Sequence, residues 1–433
     1  MTSDRFQSRP SILAPLPRRS GSPLLVSLGR RLVHGFLSQL EEGEIRLRDG
    51  DRLHRWGRRS DRWPLAVEVE VLDPAVYPAI AFHGTVGSGE AWMAGHWRCS
   101  DLSLLIRLIL GNDSLRSALD SGSARLFRPL RALLHALRRN HRAGSRRNIA
   151  AHYDLGNDFF AQFLDPTMTY SCGLFERPDA TMEEASRAKY EQICKAIDLR
   201  EGDHLLEIGT GWGGFALHAA STRGCRITTT TISKAQYEWA RARIAEAGLA
   251  DRVEVLLRDY RDLGGRYDKL VSIEMIEAVG HAYLPTYFRS CSRLLRPHGR
   301  MALQCILIRD ELYEQATRNV DFIKRYIFPG GCLPSRQVIA RQIAEQTDLI
   351  CSEDEDITPH YAETLRRWRA RLQANAGQIR ALGYPEALLR MWEFYFCYCE
   401  AGFEQRHIRT AQLIFEKPDS GTIQPTLPET HHR

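Results

Sequence analysis

The first place where this chain could do chemistry is an apolar run that ends in an acid and breaks into glycines: Leu205-Leu206-Glu207-Ile208-Gly209-Thr210-Gly211-Trp212-Gly213-Gly214. Glycines at 209 and 211 permit dihedrals closed to residues with side chains and let a ligand lie against the main chain. Phe215 to Ala220 then continue as a helix whose N-terminus faces the turn. The spacing is Gly-x-Gly-x-Gly-Gly rather than the Gly-x-Gly-x-x-Gly of pyrophosphate binders, and no Gly-Lys-Ser/Thr follows. Such a turn suits S-adenosylmethionine better than a dinucleotide or ATP. Glycine spacing alone also fits a strand-turn-helix junction that binds nothing.

Two further strand ends carry polar groups. Sheets that bind nucleosides usually grip the ribose with an acid after the second strand. Here that place reads Thr229-Thr230-Thr231-Ile232-Ser233-Lys234-Ala235-Gln236, so Thr231 and Gln236 substitute or the ribose is held elsewhere. After the third strand, Asp259-Tyr260 offers an acceptor and an aromatic face suited to an adenine. Taken singly, each is also readable as a loop, or as a helix N-cap at Ser233. With the glycine turn they occupy successive strand ends.

These groups need a scaffold, and the sequence supplies one from Asn148 onward. Apolar runs predict strands at 204–208, 225–231, 253–258, 268–273 and 300–307, separated by helices at 213–222, 233–247 and 283–295. That alternation is the α/β doubly wound, Rossmann-like arrangement, with ligands at the carboxyl ends of the strands. Helices follow at 314–326, 335–347, 359–382 and 385–405, then a closing strand at Ala411 to Phe415.

At 433 residues two domains are expected. Residues 1–22 are basic and proline-rich and read as a disordered arm. Residues 23–124 read as a small α+β unit. Helical spacing over Leu24 to Leu40 is followed by strands at Ile45-Arg46-Leu47 and Ala66 to Val71, a turn at Asp49-Gly50-Asp51, and a helix from Asp101 to Leu110. Ile80 to Phe82 and glycines 84, 87 and 89 lie between them. Residues 125–147 form a basic linker and 148–417 the catalytic domain, with a tail at 418–433.

Net charge is +6, but the linker concentrates it: Arg125, Arg128, Arg131, Arg138, Arg139, Arg142, Arg146 and Arg147 occur there without an acid, interleaved with leucines. Such a stretch can lie along anionic headgroups or serve as a solvated linker. No zinc-finger spacing, RNA-binding signature or basic zipper accompanies it, which argues against nucleic acid. Ten cysteines lack paired spacing apart from Cys397-x-Cys399, so reduced thiols in a cytoplasmic protein are expected and a metal site is not. No apolar run of about 18 residues occurs, so any membrane contact should be peripheral.

Four motifs in order resemble the cyclopropane-fatty-acyl-phospholipid synthases. They are Met168-Thr169-Tyr170-Ser171-Cys172-Gly173, Glu207 to Gly213, Glu274-Met275-Ile276-Glu277-Ala278-Val279-Gly280, and Tyr326-Ile327-Phe328-Pro329-Gly330-Gly331-Cys332-Leu333-Pro334-Ser335. The likeness spans roughly Asn148 to Phe415. More loosely, Gly89 to Trp97 resembles the lipid-binding N-terminal domain of the bacterial enzymes. Thr210 replaces the family's usual cysteine, and Ala278 and Gln304 stand where many members have histidine.

The resemblance implies a class I methyltransferase that moves a methyl from S-adenosylmethionine to a cis double bond of a phospholipid acyl chain and then removes a proton to close a three-membered ring. The implied cofactor-binding set is Tyr170, Ser171, Glu207, Gly209, Gly211, Thr231, Gln236, Asp259 and Tyr260. The carbocation requires a dry site with electron-rich faces. Phe159, Phe160, Tyr170, Tyr326 and Phe328 are candidates, although Phe159 and Phe160 read better as core.

The family's base is a bicarbonate ion, implying a cage. Glu277 would accept from the ion, Tyr326 would donate to it, and an amide near Cys172 and the carbonyl of Ile306 would complete it. Glu274 is read as a helix-start acid, and Gln304 as a neighbour that hydrogen-bonds the cage without titrating. Cys172 lines the site through backbone and shape. Cys399 matches a cysteine assigned to the family's active site but reads better as a small buried side chain.

The expected partner is a bilayer with unsaturated acyl chains, contacted from the inner face of the membrane, and a homodimer is compatible with this. Alternatives are a methyl- or methylene-branched product, a small-molecule amine methyltransferase, and a lipid-binding protein without activity.

Overall fold

The computed structural model describes residues 22–112, 114–115 and 155–419. The arm up to residue 21, the arginine-rich stretch 125–147 and the tail from residue 420 lie outside them. The chain divides into two compact units, each assembled from separate segments.

The first unit draws on Met1–Pro166, Glu314–Gly331 and Thr358–Arg409. It opens with helix Pro23–Leu37, whose cap Ser22 accepts from the Leu25 amide and whose first residue is proline. Strands β1 (Gly43–Asp49), β2 (Arg52–Arg58), β3 (Ala66–Val71) and β4 (Trp97–Cys99) form a sheet in the order β2-β1-β3-β4. Strand β2 is an addition to the sequence reading: Arg-Leu-His-Arg-Trp-Gly-Arg carries too many charges to show an apolar alternation.

Glycines 84, 87 and 89 lie inside one helix, Val76–Met93, kinked at Gly84 with φ 54°. The expected helix near 101–110 is Leu102–Gly111, capped by Asp101. Helices Thr358–Ala374 and Glu386–Glu404 belong to the same unit. There Phe159 and Phe160 are fully buried against Phe163 and Trp392, as the core reading had it.

The second unit draws on Thr167–Tyr313, Cys332–Ile357 and Thr410–Arg433. Its strands are β5 (His204–Ile208), β6 (Arg226–Thr231), β7 (Val253–Leu257), β8 (Tyr267–Ile273), β9 (Leu295–Ile308), β10 (Ile350–Asp356) and β11 (Ile408–Glu416). They form a seven-stranded sheet in the order β10-β11-β9-β8-β5-β6-β7. Neighbours from β9 through β7 run parallel, and β10 with β11 runs antiparallel. The fold is therefore the expected α/β doubly wound sheet.

Strand β10, Ile-Cys-Ser-Glu-Asp-Glu-Asp, was not expected, because every residue in it is exposed and no buried face marks it. Elsewhere the pleat sorts side chains to two cores. Leu205, Val271 and Ala302 join one face, and Leu206, Leu270, Met301 and Leu303 join the other. Strand order reverses between β5 and β8. The loops leaving these two parallel neighbours therefore open side by side at their carboxyl ends.

Candidate active site

The glycine turn leaves β5. Gly209 has φ 105°, Gly211 φ 52° and Gly213 φ 87°, all in the region that favours glycine. A Cβ on Gly213 would lie 3.2 Å from Ala240, and one on Gly214 2.5 Å from the Tyr190 hydroxyl, so these two serve close packing. A Cβ on Gly211 would meet nothing within 4 Å. The main chain there is open to a ligand, which fits a nucleoside cofactor lying against it. The amides of Gly209 and Thr210 both donate to the Thr230 carbonyl, tying the turn to β6.

Around the turn, Glu207 is buried and accepts from the Thr229 hydroxyl at 2.6 Å; burial pushes its carboxyl up to about 8, opposed by Thr229 and Lys189. Thr231 donates to Gln236 Oε1 at 3.0 Å, so the two residues expected at the ribose bond to each other. Ser233 also caps helix Lys234–Glu246, so the capping reading holds there.

Ser171 Oγ accepts from Lys189 Nζ at 2.6 Å, and this lysine is fully buried. Tyr170, beside it, is half-buried. Nothing in the sequence set Lys189 apart from the other charges of helix Met182–Ala196.

Asp259, expected as an acceptor, already accepts from Arg261 Nε at 2.8 Å and Nη2 at 2.6 Å. Tyr260, expected as an aromatic face, packs edge-on against Tyr287 at 5.6 Å within the core. An arginine two residues on captures the acid because both lie in one short turn.

The loop leaving β8 carries two carboxyl groups. Glu277 Oε1 accepts from the Ile306 amide at 2.6 Å, while Oε2 is buried without a hydrogen-bond partner. Burial, and then the charge of Glu274, raise its carboxyl to about 8. Glu274, in the left-handed region at φ 49°, turns its carboxylate back into the unit. Its Oε1 accepts from the Cys172 amide at 2.9 Å and from Gln304 Nε2 at 2.8 Å.

Gln304 is fixed in turn by Gln412 Nε2, which donates to its Oε1 at 3.0 Å. This corrects the reading of Glu274 as a helix-start acid: it is the hub of a network drawn from two loops and strands β9 and β11. Gln412 was missed, although a polar residue inside the apolar run Ala411 to Phe415 was a visible signal.

The cage expected for bicarbonate is spent differently. The Cys172 amide serves Glu274, and Ile306 offers Glu277 its N–H rather than its carbonyl. Tyr326 belongs to the other unit, on the π-helical turn Ile323–Ile327, and donates to Glu90 at 2.7 Å, where Arg325 also pairs at 3.2 Å. As observed, two of the expected donors, the Cys172 amide and the Tyr326 hydroxyl, already serve carboxylates.

Cys172 Sγ is buried 3.2 Å from the Gly173 carbonyl. Cys399 sits on helix Glu386–Glu404 in the first unit; it is half-buried rather than buried as expected, and desolvation still pushes its thiol far above the ordinary range, which disfavours a reactive thiolate. All ten cysteines are free. Among the described residues no cluster of three or more His, Cys, Asp or Glu could hold a metal.

A neutral Glu277 at pH 7 has a measurable consequence. Its raised pKa means that it ionises as pH rises through about 8, placing a second negative charge beside Glu274. Because that charge strengthens Glu274 as a base and stabilises a cation, turnover should rise along a limb centred near pH 8. Glu277→Gln, which cannot ionise, should lack that limb whatever its plateau. A limb of unchanged position in this variant would assign the titration to another group.

Comparison with known proteins places this arrangement. Residues 140–413 match the mycolic acid cyclopropane synthetase family. The chain is 41% identical over 349 residues to the tuberculostearic acid methyltransferase UfaA1 of Mycobacterium tuberculosis, covering 78% of this chain and 81% of that one. It is 34% identical over 355 residues to the cyclopropane-fatty-acyl-phospholipid synthase of Escherichia coli, covering 81% and 88%. The crystal structure of the mycolic acid cyclopropane synthase CmaA1 complexed with SAH and CTAB superposes with a TM-score of 0.59 at 33% identity. The match covers 63% of this chain and 98% of that one.

Proposed function

Because the chain belongs to the mycolic acid cyclopropane synthetase family and is an S-adenosylmethionine-dependent methyltransferase, we propose that it methylates the cis double bond of an unsaturated phospholipid acyl chain and closes a cyclopropane ring. The supporting observation is the carboxyl pair Glu274 and Glu277 after β8, beside the glycine turn after β5: a Cβ on Gly209 would lie 3.3 Å from Met275. Bound S-adenosylmethionine supplies an electrophilic methyl group. The chain's own residues do the rest.

The alkene π pair forms the new C–C bond as the S–C bond breaks, leaving a cation on the acyl chain. A C–H bond of the transferred methyl must then break. Its electron pair closes the ring, and the proton goes to the Glu274 carboxylate, which the Cys172 amide and Gln304 hold in place. No step is assigned to bicarbonate, since the donors expected to hold it are engaged. The enzyme meets its substrate as a peripheral protein at the inner face of the membrane; none of the described helices is long and apolar enough to cross one.

A second reading, an open-chain methyl- or methylene-branched product, is supported by Gln304 and Ala278 in place of histidines and by the 41% identity to a tuberculostearic acid methyltransferase. Incubation with S-adenosylmethionine and monounsaturated phospholipid vesicles, followed by mass spectrometry and NMR, tests both. Ring protons support closure and vinylidene protons support branching; cyclopropane and methylene products have equal mass, so NMR separates them. Turnover of a soluble amine without any lipid product would overturn the assignment.

A further inference from the structure

Of the ten large apolar side chains most exposed among the described residues, four lie on helix Pro23–Leu37: Leu24, Leu25, Leu28 and Leu32 are 83, 46, 45 and 39 % exposed. Their spacing places them on one arc of the helix. The opposite arc, Gly29, Val33 and Leu37, is buried, and Gly29 lies so close to Tyr77 and Pro78 that a Cβ would come within 2.7 Å of backbone. The helix is thus anchored by one face while a purely aliphatic face points outward. Arg31 is exposed at the edge of that outward arc.

The neighbouring element is edge strand β2. His34 of the helix meets His54 at 4.6 Å and Trp56 at 5.1 Å. Side chains alternate along a strand, so Arg52 and Arg58, both exposed, share the face of β2 that carries His54 and Trp56. No acid lies in β2 or in the helix. An aliphatic stripe bordered by arginines has the chemistry of a bilayer surface, apolar below and anionic at the headgroups.

We propose that the outward face of helix Pro23–Leu37, with Arg31, Arg52 and Arg58, docks on an anionic phospholipid bilayer. This rests on the reading of the protein as a lipid methyltransferase, whose substrate resides there. It names a surface distinct from the arginines at 125–147. A helix of 15 residues is too short to span a bilayer and lies in the interface instead.

The test uses the full chain with vesicles of phosphatidylcholine alone or mixed with phosphatidylglycerol, read by co-sedimentation. The triple variant Leu24→Gln, Leu28→Gln, Leu32→Gln should partition at least about tenfold more weakly to the mixed vesicles. Arg31→Gln, Arg52→Gln, Arg58→Gln should lose about fivefold per charge on the mixed vesicles, with a flatter salt dependence. S-adenosylhomocysteine affinity should be unchanged in both, and native circular dichroism and thermal unfolding should confirm an intact fold.

The leucine variant should still methylate detergent-dispersed phospholipid while failing on vesicles. Wild-type partitioning of the leucine variant overturns the proposal. So does a fall in molecular mass by light scattering with vesicle binding retained, which would make the face a contact between two copies. If the wild type binds vesicles through this face but methylates no lipid in either form, the proposed function fails and the docking surface stands.

Discussion

Glu274→Gln should lower turnover by about a thousandfold while leaving affinity for S-adenosylhomocysteine within about twofold. The carboxylate accepts from the Cys172 amide and from Gln304, so its position is set by three separate segments of one unit. An amide at 274 can still accept one of these bonds through its oxygen. It cannot take up the proton that the cation must lose, so the loss appears in kcat rather than in cofactor binding.

Bicarbonate discriminates further. If Glu274 is the base, wild-type turnover in bicarbonate-depleted buffer equals that in replete buffer. Normal turnover by Glu274→Gln, or strong bicarbonate stimulation of the wild type, would return the proton to a bound ion near Glu277.

Gly211→Val should weaken cofactor binding at least about a hundredfold in calorimetry, with native circular dichroism. Gly211 holds φ 52°, where a β-branched residue is strained by roughly 1–3 kcal/mol. A Cβ there meets no protein atom within 4 Å, so the substitution clashes with nothing in the fold itself. The added side chain instead projects where the nucleoside presses on the main chain. Gly214→Ala is the contrast, because its Cβ would collide with the Tyr190 hydroxyl and the Thr167 carbonyl and so disturb packing. Wild-type affinity of Gly211→Val would place the cofactor elsewhere.

What could be read from residues alone was local. Strands β5, β7, β8 and β9 announce themselves as largely apolar runs and β6 as a run of β-branched threonines, and glycines 209 and 211 mark a turn whose dihedrals disfavour other residues. The capping role of Ser233 and the core role of Phe159 and Phe160 follow from the same short-range logic. Strand β10 escaped because its side chains are all exposed and carry no buried periodicity, and β2 because arginines interrupt it.

Hydrogen-bond partnership was not legible. The sequence marked Glu274, Gln304 and the Cys172 amide separately, yet it could not say that one carboxylate would take both donors, or that Gln412, 108 residues from Gln304, would fix the orientation of that amide. Nor could it show that Arg261 would occupy Asp259. The physical reason is topological. Periodicity and glycine dihedrals are written in consecutive residues, whereas partner choice depends on which strands become neighbours. Here β11, the last strand among the described residues, inserts between β9 and β10 and brings its one glutamine against the site.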